Sequence, residues 1–290
     1  MVVAITGASG HLGRKTAELV LDRVEPSDVV LLTRTPEALA DLADRGAAVH
    51  RADFDEPGSV RDALQDVERM LLISATDVGQ RVQQHRAAID AAHHAGVRHV
   101  IYTSIPNPVQ ENPAGVVPDH SATEAALEAS GLAWTFLRNN LYAEYQVPTA
   151  AQAIGTGRLV TNAAGGRTAY VSRDDCAAAA AAVLTSAGHE NTSYDITGPQ
   201  SVSAEELAAL AGEIAGQRIE VVHVDDDAFV AGLTGAGLPE VVGRLLASFG
   251  ASTRDGFLER VSSTVEDLTG EPPRSLRTVL TAASDELVAA

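Results

Sequence analysis

The chain has 290 residues and a single cysteine, Cys176, which leaves room for one large or two modest domains but for neither a disulfide framework nor a cysteine metal site. A formal net charge of −18 and a pI near 4.8 repel nucleic acid and anionic membrane surfaces, so neither is expected as a partner. No apolar run approaches the ~18 residues of a membrane span and no leader pattern precedes the first apolar run, so a soluble globular protein in the cytoplasm is expected.

Residues 2–5 predict a first buried strand, followed at once by Gly7, Gly10 and Gly13 in TGASGHLG. An amphipathic helix over 14–23 comes next, with Leu12, Ala17, Leu19, Val20 and Leu21 apolar. Strands are then expected at 28–33 (DVVLLT), 48–51, 69–74 (RMLLIS), 99–103 (HVIYT) and 133–137 (AWTFL). Helices are expected between them at 36–45, around 60–64, at 80–95 and at 119–130, with a Pro- and Asn-rich loop over 105–118. This alternation predicts βαβ units and a parallel sheet covered on both faces, a Rossmann-type doubly wound α/β fold. Beyond residue 145 the pattern loosens. Short strands are expected at 158–161, 169–171, 193–197 and 219–224, helices at 172–186 and 203–215, and mainly helix from 225 onward. The expected division is a nucleotide-binding domain over 1–144 and a smaller substrate-side region over 145–290.

A strand, a tight glycine turn and a helix start form the arrangement that a dinucleotide requires. Gly7 permits the turn, Gly10 lets backbone approach a pyrophosphate, and Gly13 lets the helix pack on the strand. The free N–H groups and positive dipole end of the helix then face the phosphates, with Ser9, His11 and Leu12 in the same turn. The second strand ends in Thr33-Arg34-Thr35, with no acid to bind the ribose hydroxyls of NAD. Arg34 is instead suited to the extra phosphate of NADP, so NADPH is the expected cofactor. Asp53 and Phe54, at the tip of the third strand, are placed to flank the adenine; Asp53 serves equally well as the cap of the helix starting near Pro57.

TGASGHLG, Arg34 and ADFDEP (52–57) resemble the NmrA-like, atypical short-chain dehydrogenase/reductase proteins. Within that group, SATDVGQR (74–81), VPDHSATEAAL (117–127), LRNNLYAE (137–144) and GGRTAYVSRDDCAAAAA (165–181) are most similar to bacterial NAD(P)H:quinone oxidoreductases and triphenylmethane reductases. The resemblance spans essentially the whole chain. It implies a Rossmann domain, NADPH, and hydride transfer to a quinone-like or conjugated acceptor. It also sets the loop after the sixth strand, with Asn139 and Tyr142, beside the nicotinamide. Ser74 and Ala75, at the end of the fourth strand, and Thr103, at the end of the fifth, complete the expected cofactor contacts.

The Tyr-x-x-x-Lys pair of ordinary short-chain dehydrogenases is absent. Of 21 basic residues only Lys15 is lysine, and none of tyrosines 102, 142, 145, 170 and 194 has a lysine four residues on. At the expected place stand His120 and Glu124. A quinone accepts hydride with little need of an organised acid, whereas a ketone on an aromatic polyketide could use its own neighbouring phenol. Ser104, Asn139 and Tyr142 are the polar residues expected near the nicotinamide. His120 reads either as a proton donor near neutral pH or as a first-turn histidine facing solvent. His93 and His94, adjacent on one helix, point apart and suggest no metal site. The expected activity is NADPH-dependent reduction of a quinone, or of a ketone on a planar aromatic substrate. A biosynthetic ketoreductase and a non-catalytic NADP(H)-sensing regulator are the alternatives, and a homodimer is left open.

Overall fold

The computed structural model describes residues 1–76 and 79–289; Asp77 and Val78, within the SATDVGQR segment, lie outside the described residues. In chain order the first half runs β1 (Val3–Ile5), α1 (His11–Leu21), β2 (Val29–Thr33), α2 (Ala40–Asp44), β3 (Ala48–Arg51) and α3 (Pro57–Ala63). It continues with β4 (Arg69–Leu72), α4 (Arg81–Ala95), β5 (His99–Ser104), α5 (Val117–Ala129) and β6 (Ala133–Asn139). The second half comprises α6 (Gln146–Thr156), β7 (Arg158–Thr161), β8 (Arg167–Thr168), α7 (Arg173–Thr185), β9 (Thr192–Ile196) and β10 (Val202–Ser203). It ends with α8 (Ala204–Ala215), β11 (Glu220–His223), α9 (Asp226–Gly235), α10 (Glu240–Arg254), α11 (Thr264–Thr269), α12 (Leu276–Ala282) and α13 (Ser284–Ala289).

Seven strands form one parallel sheet in the order β3-β2-β1-β4-β5-β6-β9, the doubly wound Rossmann-type arrangement. The chain reverses direction across the sheet between β1 and β4, and such a switch point opens a crevice at the carboxyl ends of the strands. Alternate residues of each strand feed opposite cores because side chains alternate across a sheet. Val3, Ile5, Leu31, Leu71, Ile101 and Leu137 meet α1 and α7 on one face. Ala4, Leu32, Met70, Val100, Tyr102 and Phe136 meet α3, α4 and α5 on the other. A third core gathers α6, α8, α12 and α13. The chain returns to the large sheet after residue 145: the alanines of α7 pack on α1, and β9 pairs with β6. Among the described residues, no helix is long and apolar enough to cross a membrane.

Three elements depart from expectation. The helix expected over 36–45 divides into a 3-10 turn, Pro36–Leu39, and α2, and the Arg14 guanidinium binds the Ala38 carbonyl at their junction. Residues 169–171 form no strand; Ala169 donates to Leu258 O and Val171 to Leu141 O, so the segment threads between neighbours. Helix α6 was masked in the sequence by Pro148, which occupies the first turn, where its missing N–H costs nothing.

The second half also fixes the loop that follows β5. Ser252 Oγ donates to Asn112 Oδ1 at 2.8 Å, Gly115 N–H donates to Ser248 Oγ at 2.8 Å, and Asn107 donates to Phe257 O at 2.7 Å. These bonds tie the loop to α10 and the segment after it, so the carboxyl edge of the sheet is walled by the C-terminal region.

Candidate active site

The glycine turn is built as its sequence requires. Gly7 takes φ +60°, a left-handed conformation that favours glycine, and Gly10 N–H closes the turn on Gly7 O at 3.0 Å. A Cβ on Gly13 would stand 2.3 Å from Gly7 O and 2.8 Å from Ala8 Cα, so only glycine lets α1 approach the strand. Gly10 caps α1 with no side-chain acceptor, and the first turn holds no acidic residue. The helix therefore presents unpaired N–H groups and an uncompensated positive end beside exposed Ser9 and His11. That is a cradle fitted to a pyrophosphate. Leu12 is buried beneath it and packs in the core.

Ser9 also registers the turn against β2. Thr33 Oγ1 donates to Ser9 Oγ at 2.8 Å and accepts from Thr35 N–H at 3.1 Å. Arg34 is thereby turned outward, and among the described residues its guanidinium has no ion pair or hydrogen bond. Asp53 does not cap α3, whose N-cap is Glu56; Asp53 Oδ1 accepts from Asp55 N–H at 3.1 Å and so shapes the tip of β3. Phe54, partly buried, sets its ring edge-on to His85 with centroids 6.4 Å apart.

At the centre of the crevice the end of β4 is held from several sides. Ile73 N–H donates to Thr6 Oγ1 at 3.0 Å, and Ser74 N–H to Thr103 Oγ1 at 2.9 Å. Ala75 is clamped at both backbone groups: its N–H donates to His85 Nε2 at 2.9 Å, and its carbonyl accepts from Arg81 Nε at 2.6 Å. The His85 tautomer follows from these partners. Thr123 Oγ1 gives its own proton to Asp119 O, so it accepts from His85 Nδ1–H at 2.9 Å, which leaves Nε2 to accept from Ala75. Burial, aided by the Arg81 charge, lowers the His85 pKa to about 3 and keeps the ring neutral.

Two expected catalytic groups prove to be enclosed. His120 does not face solvent; it is buried, with Nδ1 2.8 Å from the Tyr102 hydroxyl and Nε2 3.5 Å from Arg81. Burial first, then the charge of Arg81, holds its pKa well below the ordinary value. Ser104 donates to Glu124 Oε1 at 2.6 Å, and Arg138 binds both oxygens of the same carboxylate at 3.1 and 2.7 Å. The Ser104 proton is thus already engaged. Its hydroxyl ties the end of β5 to α5 instead of pointing a free donor at a substrate.

Asn139 and Tyr142 are differently placed. Asn139 ends β6, is buried, and among the described residues leaves both amide atoms without a hydrogen-bond partner. Tyr142 lies just beyond, bridged through its backbone to Val171. Burial of its hydroxyl, first of all, raises the Tyr142 pKa, and the nearby Arg173 guanidinium opposes that rise only in part. Arg173, at the first turn of α7, lies over the Tyr142 ring at 5.2 Å and over the Tyr145 ring at 4.8 Å. Sequence reading missed Arg81, His85, Arg138 and Arg173. Only Arg173 carried a local signal, since a cation in the first turn opposes the helix dipole and so marks a residue held there for another purpose.

A protein-family model described as NAD(P)H-binding matches residues 7–187, from the glycine turn to the end of α7. The chain belongs to this NAD(P)H-binding family. Among curated relatives of this oxidoreductase, quinone oxidoreductase 2 of Escherichia coli (strain K12) is 36% identical over 275 residues, 95% of this chain and 96% of the relative. The structure of an NADPH-dependent quinone oxidoreductase from Escherichia coli complexed with NADPH superposes with a TM-score of 0.94 at 35% identity, covering 97% of this chain and 99% of that one. Triphenylmethane reductase of Citrobacter sp., complexed with NADP(H), gives a TM-score of 0.91 at 31% identity, with the same coverage. The expected fold, an NAD(P)H-dependent oxidoreductase on a Rossmann-type sheet, therefore holds.

Proposed function

We propose that this oxidoreductase is a cytoplasmic NADPH-dependent reductase that passes hydride to a quinone, or to a ketone of a planar aromatic acceptor, without a tyrosine–lysine pair. The observation that carries this reading is the buried Asn139 amide, unpartnered at both atoms among the described residues, beside Tyr142 at the carboxyl end of β6. An unsatisfied buried amide costs about 1–3 kcal/mol unless a ligand meets it. The quinone and dye reductases among the relatives point to the same acceptor class.

The residues present fit the cofactor. The glycine turn and the bare first turn of α1 would bind the pyrophosphate, and Arg34 the 2′-phosphate. Asp53 and Phe54 would border the adenine, and Ser74, Ala75 and Thr103 would line the central crevice. When bound, NADPH supplies the hydride. Asn139 and Tyr142 would then orient the acceptor oxygen, while Ser104 and His120 hold β5 and α5 behind them. Lys15, the single lysine, stands on α1 beside Glu18 at 3.8 Å.

The test is NADPH oxidation by the purified protein with simple quinones, a triphenylmethane dye and a hydroxylated polycyclic ketone. Turnover with a quinone supports the reading, and turnover with the ketone alone points to a biosynthetic ketoreductase. Tight NADPH binding with no acceptor reduced would leave a redox sensor. Arg34→Ala should weaken NADPH binding by about 10- to 100-fold, the loss of a charge-assisted pair, while changing NADH binding less than threefold. Equal losses for both nucleotides, measured by fluorescence titration, would remove Arg34 from the phosphate site.

A further inference from the structure

Arg173 is held rigidly from its backbone. Glu144 accepts its N–H with both carboxylate oxygens, at 2.9 and 3.2 Å, and Ser172 Oγ caps the same turn by accepting from Asp175 N–H at 3.0 Å. The acids around it are occupied elsewhere: Asp174 pairs with the Arg274 guanidinium, and Asp175 accepts from Arg274 N–H at 2.8 Å. Among the described residues the Arg173 guanidinium forms neither an ion pair nor a hydrogen bond. It lies instead against the faces of Tyr142 and Tyr145, whose ring centroids are 5.7 Å apart. A cation in the first turn of a helix is unfavourable by the dipole, so this placement is maintained against a cost.

We propose that Arg173 does for Tyr142 what lysine does in a Tyr-x-x-x-Lys pair: set over the ring, it equips the Tyr142 hydroxyl to give a proton to the acceptor oxygen. This rests on the reductase reading above. The balance is simple. Hydride brings two electrons and one proton to a quinone, which becomes a hydroquinone monoanion. The Tyr142 O–H bond breaks, its proton forms the new O–H bond on the acceptor oxygen, and the electron pair stays on Tyr142 as a phenolate whose ring face carries Arg173. A proton from water then restores the phenol. Overall one NADPH is oxidised and one proton is taken up for each acceptor reduced. Arg173 acts through Tyr142 and is a positioning residue.

The same chemistry supplies a discriminating acceptor. A triphenylmethane dye is a carbocation, and hydride alone converts it to its neutral product. No proton is needed. The experiment compares kcat for a quinone and for such a dye in the wild type, Arg173→Gln, Tyr142→Phe and the double variant, with NADPH Kd measured alongside. A quinone asks less of an acid than a ketone does, so either single substitution should lower its kcat about 100-fold, the low end of the range for loss of general acid catalysis, and should lower the quinone-to-dye rate ratio at least tenfold. The double variant should be no slower than Tyr142→Phe, because Arg173 works through that hydroxyl. Arg173→Lys, which keeps the charge, should lose less than tenfold and carries the test if the Gln variant does not fold.

Losses that multiply in the double variant would overturn the proposal. So would quinone and dye rates that fall together, or a 100-fold loss in a folded Lys variant. A wild-type protein that binds NADPH but reduces none of these acceptors would instead overturn the reductase reading, and this inference with it.

Discussion

Alanine in place of Gly13 is expected to abolish NADPH binding and to lower the thermal midpoint by roughly 10 °C. The added methyl would sit 2.3 Å from Gly7 O and 2.8 Å from both Gly7 C and Ala8 Cα, all of them backbone atoms. A flexible side chain could turn aside; these atoms move only if α1 slides off the turn. Overpacking costs about 1–3 kcal/mol even where side chains can adjust, and roughly 3 kcal/mol is therefore expected here. In a domain of this size each kcal/mol shifts the midpoint by about 2–4 °C. The same displacement breaks the cradle at the N-terminus of α1, so affinity falls with stability.

Gly10→Ala is the companion experiment. Its Cβ would meet only Gly7 O, at 3.3 Å, a contact that a small backbone adjustment relieves. Its midpoint should move by no more than about 2 °C, which is within 1 kcal/mol, while its NADPH affinity falls because the methyl stands on the ligand side. A Gly13→Ala protein that binds NADPH normally and melts with the wild type would show that the turn is looser than its contacts indicate. Equal destabilisation by both substitutions would show that Gly10 is structural and that no close ligand approach depends on it.

The contrast between these glycines bears on what could be read before the fold was known. The glycine motif, Arg34 and the strand ends were legible because each depends on local order: a turn follows a strand, and a cofactor edge follows the turn. The seven-stranded sheet was legible for six strands, since their apolar runs are continuous and alternate with helical segments. Its seventh, β9, is expected as a strand at 193–197, but nothing local in TSYDI says that it joins the sheet beside β6. The enclosure of Ser104 and His120 was invisible for a similar reason. Glu124, Arg138 and Arg81 reach them from different elements, and only the packing of α4 and α5 on β5 brings those side chains together. A serine at a strand end and a histidine near a helix start look like candidate acids until the groups that engage them are placed.

Acidification between pH 6.5 and 5 should destabilise the protein steeply, before most carboxylates titrate. Three neutral histidines are buried in the core around the sheet: His85, His99 and His120. Burial lowers His85 to about 3 and His99 to about 4, and holds His120 well below its ordinary value. In the unfolded chain each returns to about 6.5. Below that pH the unfolded state binds more protons than the native one, so their stabilising contribution, complete above pH 6.5, is lost as pH falls toward about 4 and 3. The surroundings explain why the native state resists the proton. His85 Nε2 is occupied by Ala75 N–H, and Arg81 stands beside both His85 and His120. His99 donates through Nε2 to Thr135 Oγ1 at 2.8 Å, which itself donates to His189 O, and among the described residues His99 Nδ1 has no partner to receive a second proton. A histidine kept neutral costs about 1.4 kcal/mol per pH unit below its unfolded value, so His85 and His99 together remove on the order of 3 kcal/mol by pH 5, and His120 acts in the same direction. Urea unfolding at pH 7.5, 6.5, 5.5 and 5.0 measures this directly. The slope below pH 6.5 should correspond to more than one proton and should fall by about one in His85→Gln, which keeps hydrogen-bonding capacity without the titration. A stability that stays flat from pH 7.5 to 5.0 would mean that these rings are protonated, or already exposed, in the native protein.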